Sequence, residues 1–105
     1  MNKNDPTAHI NALQIGPVSI ALAASSYVFQ YYSGGILNSS SCGTALDHGV
    51  TLVGYGADSN NNAYWIVKNS WGASWGEQGY IRIARSSAMG PGVCGLLQWS
   101  SYPQV

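Results

Sequence analysis

The stretch LDHGVTLVGYGADSNNNAYWIVKNSWG, residues 46–72, decides the fold of this chain. Within it, residues 49–55 and 63–68 are rich in β-branched and aromatic side chains, which favour β-strands. Between them lies DSNNN, residues 58–62, and Asp and Asn favour turns because they tolerate left-handed backbone and bond to their own main chain. The pattern therefore predicts two antiparallel strands joined as a hairpin.

Two further strands are predicted, one before and one after this hairpin in the sequence. Residues 79–84, GYIRIA, alternate isoleucine with other side chains, as a strand with one solvated face does. Residues 18–22, VSIAL, read as a buried strand, directly after the helix-breaking pair Gly16-Pro17. Turn-like segments at residues 38–44 and 86–92 separate the elements. Several strands with turns between them predict an antiparallel sheet or barrel.

A short helix is predicted near the start of the chain. Asp5 is a helix-capping residue and Pro6 a common first helical residue, so we expect a helix over residues 5–13. His9 is assigned no role and is expected to be a solvated residue of this helix. The predicted apolar stripe consists of Ala8, Ala12 and Leu13.

A second helix of one or two turns is predicted within residues 25–32, with Ser25 or Ser26 as its cap. Its inward-facing side chains would be Val28, Phe29 and Tyr32. The elements together predict an α+β fold of mostly antiparallel β-structure with short flanking helices. The length of 105 residues predicts a single small domain.

The composition excludes several classes of protein. Only 8% of the residues are charged, against roughly 25% in an ordinary soluble domain, so we expect a face covered by a partner or by the rest of a larger protein. The formal net charge is zero without a basic cluster, so no nucleic-acid partner is expected. No apolar run approaches the ~20 residues that span a bilayer, so no membrane partner is expected. Residues 1–14 lack the apolar core of a signal peptide.

The two cysteines, Cys42 and Cys94, leave two interpretations open. An even count in a sparsely charged, glycine-rich small domain fits one disulfide, which would stabilise the fold by ~4 kcal/mol through restriction of the unfolded chain. Two reduced, buried thiols fit the sequence as well. Asn38-Ser39-Ser40 matches the N-glycosylation pattern, although a polar turn with a chance match explains it equally well.

Two groups of segments carry more specific information about chemistry. The first is LDHGV, residues 46–50, which runs into VGYG, residues 53–56. The second is KNSWG, residues 68–72, followed by WGE at 75–77 and GYIRI at 79–83. A lone histidine before a strand means little, but these segments in this order closely resemble the signature of the papain/cathepsin family of cysteine proteases.

The resemblance covers nearly all of the chain from about Gly16 onward. The further matching segments are residues 16–20 (GPVSI), 29–36 (FQYYSGGI), 42–43 (CG), 93–95 (VCG) and 101–103 (SYP). The resemblance implies that Cys42 and Cys94 pair as a structural disulfide. Neither cysteine is followed by tryptophan, so neither is expected to be a nucleophile.

The resemblance implies a two-lobed peptidase of which residues 1–105 are the second, β-barrel-like right lobe. In the family, the first lobe supplies a glutamine and a Cys-Gly-Ser-Cys-Trp type of segment with the nucleophilic cysteine. No such segment is present here, and Gln14 lacks this context. The implied partners are therefore the nucleophile-bearing N-terminal lobe and a peptide or protein substrate, with no cofactor and no metal. The family implies a lysosomal or secreted location.

His48 and Asn69 match the family's catalytic pair. A cysteine attacks as thiolate, and a neighbouring imidazolium stabilises the thiolate and then protonates the leaving amine. His48 is expected to be that imidazolium. Asn69 is expected to orient the ring by accepting its other N–H, and a neutral amide does not compete for the imidazolium charge. His48 taken alone would more often be an ordinary satisfied histidine.

Two tryptophans are assigned to the same site. Trp71 lies two residues after Asn69, so on a strand both side chains would share one face. Its indole would cover the His48–Asn69 hydrogen bond, which is electrostatically stronger when shielded from water. The resemblance implies that Trp75 adds a wall on the leaving-group side. Without this context, the tryptophans would be core residues.

A substrate pocket follows from the resemblance alone. The positions that match the pocket for the second residue before the cut are Ala21, Leu46, Gly49 and Trp99. Trp99 stands where many relatives carry a small residue or an acid, so we expect a shallow pocket for small or medium apolar side chains. Asp47 would bond a backbone group or help to place His48. The alternative function is a non-catalytic module that binds peptides or a partner's first lobe.

Overall fold

The computed structural model describes residues 2–101 of the chain, so the predicted match over residues 101–103 lies mostly outside the described residues. The helices are α1 (Pro6–Leu13) and α2 (Tyr27–Gln30). The strands are β1 (Val18–Leu22), β2 (Ile36–Leu37), β3 (His48–Ala57), β4 (Ala63–Lys68), β5 (Tyr80–Ala84) and β6 (Ser100–Ser101). Two short 3-10 helices cover Ser40–Cys42 and Val93–Gly95.

The predicted hairpin is confirmed and forms the centre of the sheet. Strands β3 and β4 pair antiparallel from Thr51 opposite Lys68 to Ala57 opposite Ala63. The turn between them is held by Asp58, whose Oδ1 accepts the backbone N–H groups of Asn60 and Asn62, both at 2.9 Å. The local bonding of a carboxylate to its own turn is what the DSNNN pattern predicts.

The predicted α+β class with mostly antiparallel β-structure is also confirmed. The strand order is β2-β5-β4-β3-β1-β6. Two details differ from the prediction: β2 pairs parallel to β5, and within residues 2–101 the sheet is open rather than closed like a barrel. Within residues 2–101, β2 and β6 form the two edges of the sheet and do not pair with each other.

The core lies on one face of this sheet, because buried side chains alternate along the strands. Burial follows the predicted alternation in β5, where Ile81 and Ile83 are inside and Tyr80 is exposed. Burial removes apolar surface from water and is the main stabilising term of the fold. The most deeply buried apolar side chains are Val18, Ile20, Leu22, Phe29, Leu52, Trp65, Val67, Ile81, Ile83 and Leu96.

Helix α1 begins as predicted, but its buried residues differ from the prediction: of the predicted stripe only Ala12 is buried, and Ala8 and Leu13 are half-buried. The Asp5 carboxylate accepts the N–H groups of Thr7 and Ala8 at 3.1 and 3.2 Å and so caps the helix. His9 is fully buried rather than solvated. Its Nδ1 lies 2.8 Å from the Asp5 carbonyl oxygen, and its ring meets Trp65 edge-on at 6.3 Å. The buried stripe of α1 is therefore Pro6, His9 and Ala12, at helical spacing of three.

Helix α2 lies within the predicted range. Phe29 and Tyr32 are buried and Val28 is partly buried, as expected. Ser26 is the N-cap residue but its side chain makes no capping hydrogen bond. Neither helix in the described part of the chain has the length and apolar character needed to cross a bilayer.

Candidate active site

His48 and Asn69 meet because the central hairpin brings the ends of two strands together. His48 is the first residue of β3, and Asn69 directly follows β4. The two strands are antiparallel neighbours, so the start of one lies beside the end of the other. The His48 Nε2 atom lies 2.8 Å from Asn69 Oδ1.

The orientation of the Asn69 amide decides which ring nitrogen carries the proton. Asn69 Oδ1 also accepts the backbone N–H of Ser70 at 2.7 Å, which identifies it as the acceptor end. Nε2 of His48 is therefore the donor. No hydrogen bond within residues 2–101 engages Nδ1, which leaves this nitrogen available for proton exchange. Asn69 is 7% exposed, and its Nδ2 group is buried without an acceptor in the same range.

Trp71 covers this hydrogen bond from one side. Its ring centroid lies 5.1 Å from that of His48, with 32° between the two planes. The geometry arises differently from the strand alternation that was predicted, because β4 ends at Lys68 and residues 69–71 lie outside it. The chain bends at Ser70 and Trp71, and this bend lays the indole over the imidazole. Trp71 remains 39% exposed on its outer side.

An aromatic cluster behind Trp71 supports this position. Phe29 contacts Trp71 edge-on at 5.4 Å and Trp75 at 5.1 Å. Trp75 also packs against Trp71 at 5.4 Å, and its Nε1 donates to the carbonyl oxygens of Phe29 and Gln30 at 3.3 and 3.1 Å. Edge-on aromatic pairs contribute about 1 kcal/mol each beyond area burial. The cluster therefore ties α2 to the bend that carries Trp71.

An ion pair between Glu77 and Arg82 lies beside this cluster. The sequence pattern does not predict it. Arg82 donates to both carboxylate oxygens of Glu77 at 2.8 Å, and this pairing holds the pKa of Glu77 below its ordinary value. Glu77 also accepts the Gly35 N–H at 3.1 Å. The Tyr32 hydroxyl donates to the Gly35 carbonyl, and burial raises the pKa of Tyr32. The Tyr32 ring packs on Trp75 at 5.5 Å. The ion pair is therefore connected to the aromatic cluster through Gly35 and Tyr32.

The predicted pocket residues are brought together in part. Ala21 lies opposite Gly49 in the β1–β3 ladder, and the Ala21 N–H donates to the Trp99 carbonyl oxygen at 3.3 Å. Trp99 and Leu46 are 49% and 39% exposed. These residues form an open surface next to the start of β3.

Asp47 bonds the backbone, which was one of its two expected roles. Its Oδ1 accepts the Ala24 N–H at 2.8 Å, and its own N–H donates to the Leu22 carbonyl at 3.1 Å. Both bonds fasten the residue before His48 to the end of β1.

The two cysteines form one disulfide, Cys42–Cys94, across a sequence separation of 52 residues. The alternative of two reduced thiols is therefore wrong. Since the sequence has only these cysteines, the chain has no free thiol to act as a nucleophile. No group of three or more His, Cys, Asp or Glu side chains that could hold a metal ion occurs among residues 2–101.

Comparison with known proteins identifies the family of this chain. The sequence profile described as "Papain family cysteine protease" matches residues 1–104. Cysteine proteinase EP-B 1 of Hordeum vulgare is 54% identical over 87 residues, which are 83% of this chain and 23% of that protein. Fruit bromelain of Ananas comosus is 46% identical over 105 residues, which are 100% of this chain and 29% of that protein.

Solved structures agree with this result. The bromelain protease of Ananas comosus in complex with the E64 inhibitor matches with a TM-score of 0.87 and 48% identity, covering 93% of this chain and 45% of that one. The chain thus spans roughly a quarter of the length of the curated relatives it matches. The profile match and these identities together place this chain in the papain family of cysteine proteases.

Proposed function

We propose that this chain supplies the histidine and asparagine of a papain-like cysteine endopeptidase whose nucleophile is carried by a separate N-terminal lobe. The observation that carries the proposal is the 2.8 Å hydrogen bond from His48 Nε2 to Asn69 Oδ1, with Nδ1 unbonded within residues 2–101. A ring held by one nitrogen and free at the other is the arrangement that a thiolate-imidazolium pair requires.

The reaction assigns one task to each group. The partner lobe's thiolate attacks the peptide carbonyl carbon while His48, as imidazolium, stabilises its charge. His48 then gives the Nδ1 proton to the leaving amine as the C–N bond breaks, and water hydrolyses the remaining thioester with His48 as general base. Asn69 holds the ring plane through both steps, and Trp71 keeps water from the Asn69 bond.

We further propose that Ala21, Leu46, Gly49 and Trp99 receive the side chain two positions before the cut. The pairing of Ala21 with Gly49 and the hydrogen bond from Ala21 to the Trp99 carbonyl support this grouping. Nothing lies within 4 Å of a Cβ built on Gly49, so space is open above that strand. The indole of Trp99 limits the depth of the pocket and favours small or medium apolar side chains.

The partner lobe would cover the open side of the site. Exposed aromatic groups at Trp71 and Trp99 and the small share of charged residues support a covered face here. The relatives' greater length leaves room for such a lobe. The disulfide supports a lysosomal or secreted location, because disulfides persist in oxidising compartments.

Reconstitution tests the proposal directly. The chain is mixed with a separately produced papain-like first lobe, and hydrolysis of a fluorogenic dipeptide substrate is followed. We expect activity only in the mixture, its loss after alkylation of the first lobe's thiol, and no activity with His48→Ala. Equal activity of the His48→Ala mixture would exclude the assigned role, and thiol-independent hydrolysis by this chain alone would exclude the division between two lobes.

The second candidate is a non-catalytic module that binds peptides or a partner's first lobe. The observation that favours it is the disulfide, which consumes both cysteines of the chain. It predicts binding of the first lobe or of peptides with no turnover in the reconstituted mixture. Binding without turnover by the unsubstituted chain, in a mixture whose first-lobe thiol is reactive, would support this module over the peptidase.

A further inference from the structure

We propose that Asn38 carries an N-linked glycan, a modification that does not depend on the proposed catalytic role. Asn38-Ser39-Ser40 is the only triplet in the 105-residue sequence with asparagine, any residue but proline, and then serine or threonine. Asn38 is therefore the one residue of the sequence that N-glycosylation of this pattern could modify. The structure supplies three further observations on the same segment.

The first observation is that the acceptor amide is accessible. Asn38 is exposed in the loop between β2 and the 3-10 helix Ser40–Cys42. No hydrogen bond within residues 2–101 engages its side chain. The neighbouring Ser39 hydroxyl is occupied locally, since it accepts the Ser41 N–H at 3.1 Å, whereas Ser40 is exposed. The acceptor side chain is thus exposed and makes no hydrogen bond within residues 2–101.

The second observation is a polar cavity that Asn38 borders. This cavity has a volume of about 570 Å³, and its wall includes Asp58, Asn62, Arg82 and Arg85. Carboxylate, amide and guanidinium groups donate to and accept from hydroxyls. The first sugars of a glycan on Asn38 therefore have room beside a wall whose chemistry suits them.

The third observation is the disulfide that begins four positions after the acceptor, at Cys42. Disulfides form in the endoplasmic reticulum and other oxidising compartments, and N-glycosylation belongs to the same secretory route. One loop therefore carries both one half of a disulfide, a bond typical of this route, and the acceptor pattern that the route modifies.

The position of Asn38 in the fold keeps such a glycan away from the candidate active site. The cavity beside it also includes Ala63, which pairs with Ala57 at the turn end of the hairpin. His48 is at the opposite end of β3 from Ala57, and at ~3.3 Å per strand residue these two residues lie roughly 30 Å apart. A glycan on Asn38 would cover the turn end of the sheet and leave the His48 end open.

The test secretes the full chain from eukaryotic cells behind an added signal peptide and compares three forms by intact mass and glycopeptide analysis. We expect the unsubstituted chain to carry a glycan that an endoglycosidase removes, with Asn38 as the modified residue. Ser40→Ala should abolish the modification, and Ser40→Thr, which preserves the acceptor pattern, should retain it.

Glycan transfer acts on the nascent chain, so a variant that folds poorly still reports on the acceptor. Secreted, disulfide-bonded chain with an unmodified Asn38 would overturn the proposal. A glycan that persists in Ser40→Ala would overturn it as well, because the modification would then not follow the acceptor pattern.

Discussion

His48 Nε2 donates to Asn69 Oδ1 at 2.8 Å, although the two residues are 21 positions apart in the chain. The contact exists because β3 begins where β4 ends, on neighbouring antiparallel strands. The Ser70 N–H, 2.7 Å from the same oxygen, prevents the amide from presenting its NH₂ group to the ring. The amide therefore orients the ring with Nε2 as the donor to Asn69 Oδ1.

Replacement of Asn69 tests this orientation in the reconstituted peptidase. Asn69→Ala removes a hydrogen bond to a group that is charged during the reaction, which is worth about 1.5–3 kcal/mol. We expect kcat/KM to fall by roughly 10- to 150-fold, mainly through kcat, because the bond acts in the chemical step. The matched control is Asn60→Ala, a change at an exposed turn residue, which should leave kcat/KM unchanged; an equal fall in both variants would contradict the assignment.

Removal of the indole at position 71 should weaken the same bond without deleting it. Trp71→Ala takes away the ring that lies 5.1 Å from His48 and opens the hydrogen bond to water. A loss of about 1 kcal/mol corresponds to a kcat roughly fivefold lower in the reconstituted mixture. Trp71→Phe, which keeps an aromatic ring at this position, should have a kcat between those of Trp71→Ala and the unsubstituted chain. Steady-state kinetics of the two variants check this order, and identical kinetics for both would argue against a shielding role.

The depth of the pocket is tested by Trp99→Ala. If the indole forms the pocket floor, its removal should shift the reconstituted peptidase toward substrates with bulky apolar residues two positions before the cut. One buried methylene is worth about 1 kcal/mol, or roughly fivefold, so selectivity should change by roughly tenfold or more between side chains that differ by two or more methylenes. Tyr27→Ala, at an aromatic residue that is 78% exposed, is the matched control. Unchanged selectivity in Trp99→Ala would remove this residue from the pocket.

The ion pair between Glu77 and Arg82 predicts a pH dependence of folding stability. The Arg82 hydrogen bonds lower the pKa of Glu77 from its ordinary 4.5. A lowered folded-state pKa gives stability that is present above pH 4.5 and is lost as pH falls through the folded-state value. Because both side chains are about one-third exposed, solvent screening limits the effect to about 0.5–1 kcal/mol.

Glu77→Gln should therefore be less stable than the unsubstituted chain at pH 7 and closely similar to it well below pH 4. Urea unfolding at both pH values measures the difference. Arg82→Lys keeps the charge but loses the two-point geometry. Its free energy of unfolding at pH 7 should therefore lie between those of Glu77→Gln and the unsubstituted chain. If Glu77→Gln remained less stable than the unsubstituted chain well below pH 4, loss of the ion pair would not be the cause of its lower stability.

The disulfide should contribute more to stability than any other single bond in the fold. Cross-linking residues 52 positions apart restricts the unfolded chain by about 4 kcal/mol. Changing both cysteines to serine should lower the free energy of unfolding by roughly that amount, measured by chemical denaturation. Reductant should lower the stability of the unsubstituted chain and leave the double variant unchanged. A double variant as stable as the oxidised chain would contradict the estimate.

Much of the fold could be predicted from local patterns. The hairpin over residues 46–72 carries its own strand and turn preferences, and Asp5 caps its helix through atoms of the next three residues. Such features depend on neighbours in the sequence, so the residue types suffice to predict them. The parallel pairing of β2 with β5 depends on residues about 46 positions apart, such as Ile36 and Arg82, and two-residue strands give no periodic signal.

In the candidate site, too, some features could be predicted from the sequence and others depend on tertiary contacts. The residue types at positions 48, 69 and 71 identify the family's motif from the linear chain alone. The strand register then decides that the imidazole and the amide meet, the bend after Lys68 decides that Trp71 lies over the ring, and packing decides that His9 is buried. These outcomes depend on contacts between distant segments, and such contacts form only when the sheet has fixed which strands are neighbours and in which register.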